Sequence, residues 1–238
     1  MQPTIVLVHG AFAESASWDG VIEPLRSAGH PVISAANPLR GVAVDAQAVS
    51  DLVASIEGPV VLVAHSYGGA VITNVDSSAG EITGLVYVNA FAPEAGESCF
   101  ALAGKYPGSM LGETTLRPVP RNDGTTDLYI VGDRFHELFC ADAPEAQATR
   151  MAVCQRPATQ EALVEPCGER PLWKQLPACF FIGESDRIIP PAVQRYMAER
   201  AGAHRTVEIP GASHGATVSR PGAIAELIIE AVRVPAAA

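Results

Sequence analysis

The chain has 238 residues, of which 48% are hydrophobic and 18% charged, and 26 acidic against 16 basic side chains give a formal charge of -10. That length suits a single α/β core with an insertion, and the apolar fraction excludes a disordered or fibrous chain. The negative balance repels polyanions, so nucleic acid is excluded as a partner, and acidity of this size serves solubility.

The N-terminal MQPTIVLVHG carries no basic region and passes directly into an apolar run, which is not the pattern of a secretory signal. No apolar stretch approaches the ~18 residues needed to span a bilayer. A cytoplasmic protein without a membrane partner, monomeric or homodimeric, is expected. Cys99, Cys140, Cys154, Cys167 and Cys179 are odd in number and lack a CxxC pair. They signal neither a disulfide framework nor a metal site and read as small apolar side chains in a reducing compartment.

The first 92 residues alternate β-branched runs with amphipathic segments, as βαβ units do. Thr4–Val8 reads as a strand buried on both faces. Ser17–Ala28 places Trp18, Val21, Ile22 and Leu25 at helical spacing, with Gly29 as its C-cap. Val32–Ala35 is a second strand, Val42–Ile56 a helix, and Gly58-Pro59 ends that helix before the strand Val60–Ala64. Ala70–Asp76 is helical, and Leu85–Asn89 is the next strand.

Between Pro93 and Pro171 prolines, glycines and charges are scattered and the strand pattern disappears, leaving helical patches such as Pro144–Cys154. This stretch reads as an inserted helical lid. Alternation resumes with the strand Ala178–Ile182, the helix Ala192–Ala201, the strand Thr206–Ile209 and a helix near Pro221–Val232. The pattern therefore predicts an α/β class, a mostly parallel sheet flanked by helices, with residues 1–92 and 172–238 as core and 93–171 as lid. The Ala-rich last residues are expected to fray.

Ser66 lies in Ala64-His65-Ser66-Tyr67-Gly68, a variant of GxSxG between a buried strand and a helix. Small residues two before and two after a serine in such a strained turn avoid collision with neighbouring backbone. A serine hydroxyl needs a base. His214, in GASHGA after a strand and before the last helix, is the candidate, because the C-terminal edge of an open α/β sheet is where sites are built. His9 and His65 read as scaffold, His30 and His204 as solvated turn residues, and His136 as a structural residue of the lid able to touch substrate.

The carboxylate that orients the histidine should follow the strand at Cys179–Ile182. GESDRIIPP offers Asp186, just before the prolines that start a helix, and Glu184 as the alternative. Backbone donors for an oxyanion are expected from Tyr67, directly after the serine at a helix N-terminus, and from the HGAF turn, at Ala11. Phe12, Trp18, Phe91, Phe135, Phe139, Trp173 and His136 are candidates for a substrate pocket.

Together IVLVHGAFAESASWDGVIEPLRSAGHPV, VVLVAHSYGGAVI, LVYVNAFAPEAGES, GESDRIIPP and PGASHG resemble the α/β-hydrolase superfamily. Within it they are similar to the small esterase branch of bacterial carboxylesterases, plant methyl-ester esterases and hydroxynitrile lyases. The resemblance covers the two core segments and only loosely the lid. It implies the α/β-hydrolase fold, the triad of Ser66, Asp186 and His214, the donors Ala11 and Tyr67, and no cofactor or metal. The related lyases typically carry Thr where Gly10 stands and Lys where Gly215 stands, so hydrolysis of a small-molecule ester is expected over lysis. A lyase or cyclase using the same three residues, or a silent small-molecule receptor, are the alternatives.

Overall fold

The computed structural model describes residues 1–234; the Ala-rich end, expected to fray, lies outside the described residues. The core strands are β1 (Thr4–Val8), β2 (Val32–Ala35), β3 (Pro59–Ser66) and β4 (Glu81–Ala90). Between and after them lie α1 (Asp19–Ser27), α2 (Val42–Ala54), α3 (Gly68–Thr73) and α4 (Cys99–Ala103). Residues 93–171, between β4 and the next core strand, go on to form β5 (Leu116–Pro120), β6 (Thr126–Ile130), α5 (Phe135–Phe139), α6 (Glu145–Cys154), β7 (Ala158–Thr159) and α7 (Gln160–Val164). The chain then returns to the core through β8 (Ala178–Gly183), α8 (Pro191–Arg200), β9 (Arg205–Ile209), α9 (Ala216–Ser219) and α10 (Pro221–Ala231).

The core strands form one sheet in the order β2-β1-β3-β4-β8-β9, with every neighbouring pair parallel. Parallel strands need crossover helices on both faces, which is why the central runs are apolar at every position rather than alternating. On one face Ile5, Leu7, Val61, Val63, Val86 and Val88 pack with Trp18, Val21 and Leu25 and with α10. On the other, Val6, Val8, Leu62, Ala64, Leu85 and Tyr87 pack with α2, α3 and α8.

The α/β architecture and mostly parallel sheet are as the residue pattern predicts. The expectation of strand-free residues between Pro93 and Pro171 is overturned: β5, β6 and β7 make a small antiparallel sheet. The prolines that argued against a strand, Pro118 and Pro120, lie in β5 at the edge of that sheet, where a missing N–H costs no ladder bond on the open side. The segment between β4 and β8 is therefore mixed in structure rather than helical. No helix among the described residues is long and apolar enough to cross a membrane.

Candidate active site

The order of the strands brings the C-terminal ends of β3, β4, β8 and β9 to one edge. Ser66 ends β3 and has φ 55, left-handed backbone that a residue with a side chain adopts only under strain. The turn is tight enough to require its glycines. A Cβ on Gly68 would stand 2.6 Å from the Val8 carbonyl oxygen, and one on Gly69 2.2 Å from that of Phe91. Gly10 approaches from the first turn, where a Cβ would lie 2.5 Å from the Cβ of Ser66.

That first turn is fixed by a buried network. Phe12, at φ 61, donates its N–H to the Arg156 carbonyl oxygen at 2.9 Å. Arg156 Nη1 lies 3.3 Å from His9 Nε2, and His9 Nδ1 lies 3.0 Å from the Gly10 carbonyl oxygen. The guanidinium can only donate, so Nε2 accepts and Nδ1 carries the proton. Burial, with the nearby Arg156 cation adding to it, pushes His9 down to about 4. With the Phe12 amide engaged, Ala11 is the amide left beside Gly10.

His214 lies on the loop between β9 and α9, fully buried. Its Nδ1 is 2.9 Å from Asp186 Oδ2. Asp186 also accepts from the amides of Ile188 (2.8 Å) and Ile189 (2.9 Å) and from Gln194 Nε2 (2.9 Å). A carboxylate so held keeps one orientation toward the ring. Glu184, the alternative acid, points outward and meets Arg195 at 4.0 Å. His214 Nε2 is buried and has no hydrogen-bond partner among the described residues, so the ring and the Ser66 hydroxyl are not joined in this conformation.

His65 packs its ring 4.6 Å from that of His214, centroid to centroid, and its Nε2 donates to the His214 carbonyl oxygen at 2.9 Å. Burial, and secondarily His214, hold it well below the usual histidine range, so it stays neutral. Phe139 stands edge-on to His214 at 4.9 Å and stacks on Phe135. The Gly215 amide donates to the Phe139 carbonyl oxygen, which ties the histidine loop to the inserted segment. Asp142 adds to this tie, accepting from the Ser213 amide (3.3 Å) and hydroxyl and pairing with Arg220.

Of the pocket candidates, Phe139 is brought against the histidine, and the Phe91 amide donates to the Ser66 carbonyl oxygen at 3.1 Å. Phe12 lines a groove of about 170 Å³ between the 12–20 turn and α6, with Arg150 and Met151 opposite; neither Ser66 nor His214 borders it. The other four are engaged elsewhere: Phe135 is fully buried and stacked on Phe139. Trp18 packs in the layer beneath α1 and α10, Trp173 donates to the Pro93 carbonyl oxygen, and His136 Nε2 lies 2.9 Å from that of Ala143.

Two groups absent from the reading of the sequence help shape the site. Tyr67 donates its phenol to Asp45 Oδ2 at 2.7 Å, inside α2, and burial raises the Asp45 carboxyl above its ordinary value. Asn89, at the end of β4, bonds to both the acid loop and the histidine loop. Its signal was an amide in the otherwise apolar run LVYVNAF. Among the described residues no cluster of three or more His, Cys, Asp or Glu is disposed to hold a metal ion.

A family model described as the alpha/beta hydrolase family matches residues 5–227. The chain belongs to that family. It is 30% identical to a pyrethroid hydrolase of Sphingobium wenxiniae over 98% of this chain and 88% of that protein. It is 40% identical to a carbendazim hydrolyzing esterase of a Nocardioides species over 42% of this chain and 47% of that one. Among solved structures, an extracellular alpha/beta-hydrolase from a Paenibacillus species, described as sharing homology with tobacco salicylic acid binding protein 2, superposes with a TM-score of 0.80 at 24% identity, covering 98% and 100% of the two chains. Relatives of this hydrolase are thus named for hydrolysis, esters included.

Proposed function

We propose that this hydrolase is a serine esterase that cleaves a small carboxylic ester through an acyl-enzyme. Ser66 is the nucleophile, His214 the general base and then acid, and Asp186 the group that fixes the imidazole tautomer and stabilises its cation. Two observations support the reading: the strained, left-handed Ser66 where β3 ends, and a buried His214–Asp186 couple 2.9 Å apart on the loops that follow β9 and β8 in the same parallel sheet.

The ester carbonyl is attacked by Ser66 Oγ while His214 Nε2 accepts the hydroxyl proton. The tetrahedral oxyanion is held by the amides of Ala11 and Tyr67, each worth on the order of 3 kcal/mol in the transition state. The alcohol leaves with the proton from His214. A water activated by the same imidazole then releases the acid. The rings of Phe91 and Phe139 supply apolar walls, and residues 93–171 cover the edge as a lid. Substrate brings Ser66 and His214 into register, since hydrogen bonds of this kind tighten in the Michaelis complex.

The names of the relatives support ester hydrolysis, and two positions disfavour the lyase alternative. A Cβ at Gly10 would meet Ser66, and one at Gly215 would stand 2.9 Å from the Cys140 Cβ and 3.0 Å from the Phe139 carbonyl oxygen. Neither the Thr nor the Lys typical of the lyases fits. Ser66→Ala should lower kcat on an activated ester by at least about 10³-fold with an unchanged melting curve. Turnover near the wild-type rate in that variant would refute the assignment.

A further inference from the structure

The two loops that carry Asp186 and His214 come from different strands, and hydrogen bonds of one side chain span both. Asn89 Oδ1 accepts from the Gly183 amide at 2.6 Å, where the acid loop leaves β8. Its Nδ2 donates to the carbonyl oxygens of Ser213 (2.8 Å) and His214 (3.0 Å). Asn89 is fully buried, so water is no substitute for these bonds.

The backbone explains how the amide comes to point there. Pairing of β3 with β4 runs His65 to Val88 and then Ser66 to Ala90, so Asn89 is the extra residue of a bulge. It takes φ 43, a left-handed conformation that Asn tolerates better than most residues. A bulge re-aims the side chain it carries. Here the side chain continues the β4–β8 pairing past its last backbone rung, Val88 opposite Phe181.

We propose that Asn89 is a positioning residue for ester cleavage, locking the acid loop and the histidine loop in the mutual register that keeps the His214 ring on Asp186. The inference rests on the serine-esterase reading above. Only a side chain with one acceptor and a two-proton donor serves all three backbone groups at once. A carboxylate would face two carbonyl oxygens, and an aliphatic residue would take this partner from the Gly183 amide and the Ser213 carbonyl oxygen and leave the His214 carbonyl oxygen to His65 alone. His65 supports the same carbonyl of His214 from β3 but reaches no part of the acid loop.

The test compares Asn89→Gly, which keeps the left-handed backbone and deletes the amide, with Asn89→Ala, Asp186→Asn and Ser66→Ala. Kinetics on an activated ester, melting curves and the far-downfield proton resonance of the His214 Nδ1–H donated to Asp186 are recorded for each. Asn89→Gly should melt roughly 5–15 °C below wild type but stay folded at the assay temperature, and should lose about 10- to 100-fold in kcat at a KM within about threefold, with the downfield resonance broadened or lost. Asn89→Ala should show the same kinetic split. A kcat within twofold of wild type and an intact resonance in Asn89→Gly overturn the inference. So does unfolding of both variants with normal kcat in whatever fraction folds. Activity retained by Ser66→Ala would instead sink the serine-esterase reading itself.

Discussion

Ser66 occupies its left-handed turn because three glycines let backbone close in on it, and that crowding is testable one atom at a time. Gly69→Ala sets a methyl 2.2 Å from the Phe91 carbonyl oxygen, a main-chain atom that cannot swing aside. It should destabilise the fold by about 1–3 kcal/mol and disturb the turn. A denaturant midpoint equal to wild type would show that the turn is looser than described. Asp186→Asn should cost about 1–3 kcal/mol of stability, because its NH2 group must face one of the donors that the carboxylate accepts from, and should reduce kcat by about 10³- to 10⁴-fold, because the amide favours the wrong imidazole tautomer. At this scale the strained turn at Ser66 and the meeting of Asp186 with His214 were legible, because motif, strand context and chain order constrain them. Asn89 and Gln194 were not, since a lone amide in an apolar strand or helix says nothing of which loop it will meet.

Elements are held to one another by polar ties from the inserted segment. Glu165, just after α7, accepts from the amides of Val42 (2.6 Å) and Ala43 (3.1 Å), capping α2 from a segment over a hundred residues away. The carboxylate meets orphan donors and the positive end of the helix dipole. Glu165→Ala should cost about 1–2 kcal/mol, read from chemical denaturation; a loss below a few tenths would mean that water caps α2 as well. Arg40 makes a second tie, from the α2 entry loop to Asp127 in β6 (2.6 Å) and to the Pro157 carbonyl oxygen (2.8 Å). The boundaries of β1, and those of β8 to within a residue, were readable because uninterrupted β-branched or apolar runs end at turns. β5 and β7 were not, being a proline-bearing edge and a two-residue strand whose pairing is decided by distant partners.

For the molecule as a whole, two buried neutral histidines beside the site link stability to pH. His9 is lowered to about 4 and His65 lies well below 6.5, both chiefly by burial. A histidine lowered in the folded state binds fewer protons there than when unfolded, so stability is complete above about pH 6.5 and declines as pH falls toward 4. His9 alone accounts for about 3 kcal/mol across that window. The melting temperature should fall steadily from pH 7 to pH 4, and His9→Asn should flatten the slope; a slope unchanged in that variant would remove His9 from the account.

The parallel α/β plan at this scale followed from hydrophobic periodicity, and the composition of the inserted segment did not reveal its small sheet. The central claim, that Ser66 carries the acyl group of an ester during turnover, has a direct measurement. Wild-type enzyme mixed with an activated ester is acid-quenched within milliseconds, and the intact protein and its peptides are weighed. The account predicts one added acyl group, on the peptide containing Ser66, that disappears as substrate is exhausted. Steady turnover with no acylated protein at any quench time, or an acyl group on another residue, would contradict it.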